Sequence, residues 1–505
     1  MEATTGVIWL IAAPFVTALV VYLVGRILAR RSGAKLANQV SAWLAAFGLL
    51  VSAYPLYLED QIVLSNKVVL FKMGGVIFYL DGISVLLAVV VLLLGLLVVI
   101  FSARYMGGEL GAEKYYALLM AMIGGILGLG CSADLFTLWV WFEVMAITSY
   151  MLVAFYRDQP ASLEAGFKYL VQSATGSVFV LIGILIVFAW NGTLDMMRIR
   201  YFLQPPLPPI LLMAGGCFLI GFGVKAALVP LHTWLPDAHS QAPSGISAML
   251  SGIVIEAGLV ALLRVTSMMG AASELWGNLM LGVGALNMLL GNLMALRQTQ
   301  VKRLLAYSSI GHMGYMMFGL GVIYRFGVLN GAGGAFFHLF NHAMMKGLAF
   351  LAAGVLLYVL YIAKGDHSIL TLDDLNGASK RYPLTTFTLS MALLALGGLP
   401  PLAGFMSKWQ IFVAGFQTQD TVAMLLVVFA ALNSVLSLGY YAPLVNRMYR
   451  LQPSLAVENG VAVPKTMAVP LVVLTLLIVV LGFYPSLLNW LTEPAAGILF
   501  LFIRG

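Results

Sequence analysis

Hydrophobic residues form long runs along the whole chain, and short segments between the runs hold most of the charges. A helix of about 20 apolar residues crosses a hydrocarbon layer about 30 Å thick. The pattern predicts fourteen membrane-spanning helices, at 5–27, 38–57, 80–102, 115–131, 133–155, 165–190, 208–227, 243–266, 273–296, 303–323, 331–360, 385–416, 421–446 and 466–490. The apolar segment 497–503 is too short to span.

One segment has a different period. Between the second and third predicted spans, residues 61–79 alternate and contain β-branched residues, which is typical of a strand. We therefore expect a hairpin outside the membrane there.

Composition supports a membrane protein. The 505 residues are 61% hydrophobic and 9% charged, with a mean hydropathy of +0.98, whereas soluble domains carry about 25% charged residues. The net charge of +7 does not indicate nucleic-acid binding, because the basic residues are spread over many short loops. Cys131 and Cys217 lie in apolar runs without a spacing suited to zinc or an iron–sulfur cluster.

The distribution of basic residues also predicts the orientation. The first run follows a start without lysine or arginine and precedes Arg26, Arg30 and Arg31, which favours a retained first helix over a signal peptide. With the N-terminus outside, 17 of the 27 basic residues fall in inside loops and 6 fall outside. The positive-inside rule therefore predicts both termini outside.

The remaining four basic residues are Lys225, Arg264, Lys346 and Lys408. Arg264 lies near a helix end, so we expect it to snorkel. A charge at the centre of a span costs about 2.5–3.5 kcal/mol, and the three lysines share this cost with further titratable residues: Glu143, Glu256, His312, His338 and His342. Each residue taken alone can be part of a structural ion pair, but the whole set favours a proton path.

Loss of solvent disfavours the ammonium form of lysine, and a nearby carboxylate favours it. A Glu–Lys pair whose hydration changes can therefore take up and release a proton, while the lysines argue against a direct Na⁺ site. His338, His342 and Lys346 recur every four residues and share one helix face. Such a His pair can hold a metal or haem, but Lys346 disfavours a cation there, and we predict neither a metal nor any other cofactor.

Prolines interrupt two spans next to buried lysines. Pro230 and Pro236 follow Lys225, and Pro400 and Pro401 precede Lys408. Broken helices at related places in two halves indicate a transport site, although ordinary proline kinks are the alternative. Three more residues beside the first break are candidates for supporting roles: His232, Asp237 and His239.

Four segments together resemble one family. They are KAALVPLHTWLPDAHSQAP at 225–243, KRLLAYSSIGHMGY at 302–315, HLFNHAMMK at 338–346 and LPPLAGFMSKW at 399–409. The chain is similar here to the antiporter-like subunits of respiratory complex I, energy-converting membrane hydrogenases and Mrp Na⁺/H⁺ antiporters. The resemblance implies an all-α polytopic fold of about fourteen helices, with two inverted five-helix repeats at 115–266 and 267–450. Residues 1–114 would hold helices 1–3 and the hairpin, and 451–505 the last helix and tail.

The resemblance also implies roles for the buried residues. Glu143 would pair with Lys225 in an entry half-channel, Lys408 would lie on the exit side, and His312, His338, His342 and Lys346 would connect them. The family usually has lysine where this chain has Glu256. Glu256 would then either relay protons or tune Lys225.

The leading hypothesis is a proton-translocating subunit of a complex I-like oxidoreductase of the quinone or hydrogenase type, without redox chemistry of its own. Its partners would be other membrane subunits, including homologous ones, in a prokaryotic cytoplasmic membrane or its equivalent. The alternatives are a subunit of an Mrp-type Na⁺/H⁺ antiporter without a redox partner, and a structural spacer that carries no ion.

Overall fold

A computed structural model describes residues 3–64, 68–73 and 76–504. Long helices dominate this part of the chain, as the apolar runs predict. Twelve of its helical segments are long and apolar enough to cross a membrane, and Pro209–Lys225 and Pro383–Gly397 are shorter apolar helices. A membrane fold built mostly from helices is thereby confirmed.

The first half of the chain contains a hairpin and eleven helices. They are α1 Ala3–Arg31, α2 Ala34–Leu64, β1 Val69–Met73, β2 Val76–Leu80, α3 Gly82–Tyr105, α4 Ala112–Gly130, α5 Leu135–Val153, α6 Pro160–Asn191, α7 Met196–Phe202, α8 Pro209–Lys225, α9 Trp234–Gln241, α10 Ser244–Met249 and α11 Ile255–Met268. A π-helical turn, Leu250–Val254, joins α10 to α11.

The second half adds nine helices. They are α12 Ser273–Ala295, α13 Val301–Phe326, α14 Leu329–Leu360, α15 Pro383–Gly397, α16 Ala403–Gln417, α17 Thr421–Arg450, α18 Leu455–Glu458, α19 Lys465–Phe483 and α20 Asn489–Arg504. Short 3₁₀ turns lie in several of the connections.

The predicted hairpin is present but shorter than expected. Strands β1 and β2 pair antiparallel, with Val69 opposite Leu80 and Phe71 opposite Phe78. Helix α2 runs on to Leu64, so the first residues of the predicted hairpin are helical; the sequence between Tyr57 and Leu64 contains no glycine or proline to end the helix. Residues 65–67 and 74–75 of the predicted segment lie outside the described residues.

The end of the chain also differs from the prediction. The last predicted span continued to residue 490, but α19 ends at Phe483, because Pro485 disfavours a helical conformation of Tyr484. A separate helix, α20, then packs against α3 and α14. Its backbone at Pro494 approaches Gly82 so closely that a Cβ there would lie 2.5 Å from the Pro494 carbonyl carbon. The segment 497–503 is thus part of a longer helix at the end of the bundle that carries the hairpin.

The interior of the bundle is formed by α14 and by the continuous segment of α10, the π turn and α11. Both segments are wholly buried by their neighbours along their apolar windows. Helix α14 packs against α3, α13, α15, α16, α19 and α20. Ionisable residues on these two segments therefore face protein rather than lipid, which is where such residues are tolerated in membranes.

Candidate functional site

The first helix break places Lys225. Helix α8 ends at this residue, and regular α-helix resumes only at Trp234. The break leaves backbone groups without helical partners, and the side chain of Asn287 on α12 supplies some: it accepts from the Val229 N–H at 2.9 Å and donates to the Ala227 carbonyl at 3.3 Å. The Trp234 indole N–H donates to the Val224 carbonyl at 2.7 Å, which ties the two ends of the break together.

Neutral groups surround the Lys225 ammonium. Its Nζ donates to the Tyr169 hydroxyl at 2.9 Å and to the Ser173 hydroxyl at 3.2 Å. The Tyr169 ring centroid lies 4.4 Å from Nζ, and this ring stacks on Trp234 at 3.9 Å. Lys225 is 1% exposed, so its charge is stabilised by hydroxyl dipoles and aromatic faces rather than by bulk water.

Glu143 on α5 is half-buried and lies within electrostatic range of Lys225. No carboxylate of the described residues lies within 4.0 Å of the Lys225 Nζ, so the two make no direct ion pair. The Glu143 Oε1 is buried without a hydrogen-bond partner in the described part of the chain. Proton exchange between them therefore requires an intervening water or a movement of one side chain.

Glu256 and His342 form a buried pair at the centre of the bundle. The Glu256 Oε1 lies 2.7 Å from the His342 Nδ1, and both side chains are fully buried. Glu256 is the second residue of α11, which begins directly after the π-helical turn, and such turns occur frequently at functional sites. Lys346, one turn along α14, does not share this carboxylate. It donates to the Leu305 carbonyl at 2.8 Å and to the Ser308 hydroxyl.

A second hydrogen-bonded chain leads from the centre towards Lys408. The His312 Nδ1 lies 3.0 Å from the His338 Nε2, and the His338 Nδ1 lies 2.8 Å from the Ser407 hydroxyl. The His312 ring also lies 5.1 Å from that of His342. The helix face predicted from the sequence thus brings its histidines together with a third histidine on α13.

The second break places Lys408. Helix α15 ends at Gly397, the turn contains Pro400 and Pro401, and α16 begins at Ala403. The Lys408 Nζ donates to the Leu396 carbonyl at 2.8 Å and to the Ser434 hydroxyl at 2.9 Å. The lysine therefore caps a carbonyl at the end of the first half-helix, where the helix dipole favours a cation.

The residues with predicted supporting roles have separate surroundings. Pro236 lies in the first turn of α9 and not in the break, because proline needs no N–H partner at that position. Asp237 pairs with Arg303 and, at 3.2 Å, with Lys168. His232 is half-buried near Tyr307. His239 is fully buried and stacks on Phe350.

Two buried cations have positions that the sequence did not indicate. Arg264 does not snorkel: its guanidinium binds Asp81 through Nη1–Oδ2 at 2.5 Å and Nη2–Oδ1 at 2.8 Å, because Asp81 is also buried and needs a cation. Lys302, predicted to lie in an inside loop, is 6% exposed and donates to the Ala242 carbonyl at 2.7 Å. The feature of the sequence that could have revealed the partner of Arg264 is Asp81, a carboxyl directly before the most apolar span. Within the described ranges, no group of three His, Cys, Asp or Glu side chains is arranged so that it could hold a metal ion.

Comparisons with known proteins agree with this geometry. The profile described as "NADH:quinone oxidoreductase/Mrp antiporter, TM" matches residues 132–434, and that of the N-terminus of complex I chain 5 matches 75–116. The F(420)H(2) dehydrogenase subunit N of Methanosarcina mazei is 34% identical over 430 residues, which cover 83% of this chain and 84% of that protein.

Solved structures give the same result. A chain of the membrane-bound sulfane sulfur reductase, an archaeal respiratory membrane complex, matches with a TM-score of 0.85 and 28% identity over 98% of this chain and 97% of that one. A chain of respiratory complex I from Thermus thermophilus matches with a TM-score of 0.76 and 27% identity over 95% and 98%. The resemblance seen in the sequence is confirmed, and the chain belongs to the NADH:quinone oxidoreductase/Mrp antiporter transmembrane family.

Proposed function

We propose that this chain is the proton-translocating, antiporter-like membrane subunit of a complex I-like energy-converting oxidoreductase. The observation that carries the proposal is the series of buried ionisable side chains between the two helix breaks. Relatives named as subunits of an F(420)H(2) dehydrogenase, a sulfane sulfur reductase and complex I support the same assignment. Its partners are then other membrane subunits, including homologous ones, and redox chemistry belongs to a different part of the complex.

The surroundings of the lysines suit proton transfer. Lys225, Lys346 and Lys408 each bind hydroxyl or carbonyl oxygens, and none has a carboxylate within 4.0 Å among the described residues. A lysine held by neutral dipoles is less firmly locked in its charged form than one in a salt bridge. Small changes in hydration or in a neighbouring charge can therefore move its proton.

Water completes the path. Buried polar atoms without a partner in the described chain include Glu143 Oε1, Glu256 Oε2 and His342 Nε2. Buried polar atoms are normally satisfied by protein or by ordered water. These three atoms mark the entry side and the centre of the proposed path, between hydrogen-bonded segments that the protein itself supplies.

We further propose fourteen spans, with α8–α9, α10–α11 and α15–α16 each forming one of them. Short α7 and α18 do not span. The segment Pro485–Ile503, which contains α20, is long and apolar enough to span, but Pro494 packs against Gly82 and Phe502 against Gly270, so we place α20 across the end of the bundle that carries the hairpin. Residues 115–266 and 267–450 form the two inverted repeats, between an N-terminal part, 1–114, and a C-terminal part, 451–505. The distribution of basic residues supports both termini outside a cytoplasmic or equivalent energy-converting membrane.

The test is pumping by the reconstituted complex carrying Lys225→Ala, Lys408→Ala or Glu143→Ala. Each variant is expected to lose proton translocation while the complex assembles. Normal pumping by all three with intact assembly contradicts the proposal and favours a structural spacer. A rate that follows sodium in the presence of a protonophore, or copurification with antiporter subunits alone, favours the Mrp-type alternative.

A further inference from the structure

An open cleft lies at the end of the bundle opposite the hairpin. It has a volume of about 770 Å³, and charged residues line it: Glu109, Lys114, Arg157 and Asp158. At its edge the Glu109 Oε1 lies 3.7 Å from the His367 Nε2, and the two side chains are 17% and 30% exposed. Water therefore reaches both groups, and neither belongs to the path described above.

A small cavity adjoins this pair. Its volume is about 30 Å³, and Tyr105, Tyr156, Gln159, Lys302 and His367 contribute to its lining. Tyr156 lines both the cleft and the cavity. A cavity needs about 10–15 Å³ and polar partners to hold a water molecule. Its volume and its polar lining therefore suit water between the Glu109–His367 pair and Lys302.

Lys302 has capacity to bind such a water. Its ammonium carries three donors, and one of them goes to the Ala242 carbonyl at 2.7 Å. No carboxylate in the described ranges lies within 4.0 Å of it. Capping the Ala242 carbonyl explains one donor, but a purely structural cap does not require a lysine next to a polar cavity.

His239 lies near both Lys302 and α14, the helix of Lys346. It is fully buried, and neither ring nitrogen has a hydrogen-bond partner among the described residues. Lys302 binds the carbonyl of Ala242, three residues after His239, and the His239 ring stacks on Phe350, one helical turn beyond Lys346 on α14. Lys346 in turn is one helical turn from His342, the partner of Glu256. The groups thus form a series from the surface to the central pair.

We propose that Glu109 and His367 collect protons at this face and pass them through Lys302 and His239 to Lys346. This entrance is separate from Glu143 and Lys225, and it rests on the proposed function. Each step moves one proton from a donor to the next acceptor, and the surface pair is reloaded from bulk water. Burial raises the pKa of Glu109 above the usual carboxyl value, against the opposing effect of His367, which helps this carboxyl bind a proton between transfers.

The experiment uses the whole complex in proteoliposomes with this face outward. Electron transfer and membrane potential are measured together, so that pumping is expressed per electron. The double variant Glu109→Gln/His367→Gln is expected to slow pumping about tenfold, which is less than the rate factor that a positioned proton-transfer group typically contributes. Imidazole added outside is expected to restore it, because a small diffusible donor replaces a lost proton collector but not a lost structural contact. Asp366→Asn, an exposed carboxyl beside His367, is the matched control and is expected to pump normally.

Lys302 is tested with two variants. Lys302→Met removes the donor to Ala242 and can prevent assembly. Lys302→Arg keeps a donor and a charge but does not release its proton, so it is expected to assemble and to pump poorly. Normal pumping by Lys302→Arg or by the double variant overturns the inference, as does a loss in the double variant that imidazole leaves unchanged. Lys225→Ala distinguishes a failure of this inference from a failure of the proposed function. If Lys225→Ala abolishes pumping while Lys302→Arg and Glu109→Gln/His367→Gln pump normally, the proposed function stands and this entrance does not exist.

Discussion

The buried pair of Arg264 and Asp81 gives a prediction about stability. Arg264→Met removes the guanidinium that makes both bonds to Asp81, together with bonds to the Ser84 hydroxyl and the Gly130 carbonyl, each at 2.9 Å. The side chains of Arg264 and Asp81 are 2% and 0% exposed. The substitution therefore leaves a carboxylate inside the protein without a cation.

The loss of stability expected for Arg264→Met follows from these contacts. Removing one partner of a buried ion pair costs about 3–5 kcal/mol, whereas replacing both partners can be nearly neutral. Asp81 keeps two bonds from Ser84, from the N–H and the hydroxyl, both at 2.9 Å, so we expect about 3 kcal/mol for Arg264→Met. Asp81→Asn leaves the cation unpaired and is expected to cost a similar amount. The double variant loses the guanidinium bonds to Ser84 and Gly130 but leaves no buried charge unpaired, so it is expected to cost clearly less than the sum of the two single variants.

The measurement is the free energy of unfolding of the isolated subunit in mixed micelles with increasing SDS, for the parent chain, the two single variants and the double variant. Glu164→Gln serves as the control, because Glu164 is 65% exposed and, among the described residues, forms its only ion pair with the exposed Lys168; the free energy of unfolding should not change measurably. Single effects that simply add in the double variant refute the reasoning, as does an Arg264→Met effect no larger than that of the control.

Two further predictions concern the centre and the second break. Glu256→Lys, the residue type that the resemblance implies at this position, is expected to disrupt assembly or pumping, because it places a cation against His342 and near Lys346. Glu256→Gln keeps an acceptor for His342 and should assemble but pump slowly. The subunit content of the purified complex measures assembly, and the membrane potential measures pumping. Normal pumping by Glu256→Lys contradicts the argument. Gly404→Ala is expected to cost about 1–3 kcal/mol, since its Cβ would lie 1.9 Å from the Ala395 carbonyl oxygen. Gly333→Ala, with nothing within 4 Å of its Cβ, should leave the free energy of unfolding unchanged or raise it slightly, and equal losses in the two variants show that crowding at the break is not the cause.

The helices were predictable because hydrocarbon leaves the backbone almost no other choice. Every backbone polar group in a span must be satisfied internally, and an apolar run of sufficient length is therefore a helix. The predicted helix ends were wrong where the chain leaves the hydrocarbon layer and this constraint no longer applies. Helix α2 extends beyond its apolar run to Leu64, and the run expected to end at residue 490 is divided near Pro485 into α19 and α20. Hydropathy gives little information about where a helix ends in such regions.

The candidate residues were predictable for a related reason, but their partners were not. An ionisable residue inside an apolar run is costly and is therefore conspicuous in the sequence. Its partner is chosen by packing: His342 lies 86 positions from Glu256, and Arg264 lies 183 positions from Asp81. The polar neighbours of Lys302 in sequence indicate a loop, whereas the structure buries it and places its ammonium on the carbonyl of Ala242 at the end of α9.

The partners change how the central residue is interpreted. With lysine at position 256, the centre would contain several cations and no carboxylate. With Glu256, a carboxylate binds His342, while Lys346 binds a carbonyl and a hydroxyl instead. Within the described residues the Glu256 carboxyl therefore makes no contact with Lys346 that would fix the lysine in its charged form. The other ring nitrogen of His342, Nε2, has no hydrogen-bond partner within the described chain, so it can accept a proton in the proposed path. In the proposed path we therefore expect Glu256 to set the affinity of His342 for a proton, and His342 to take the relay step.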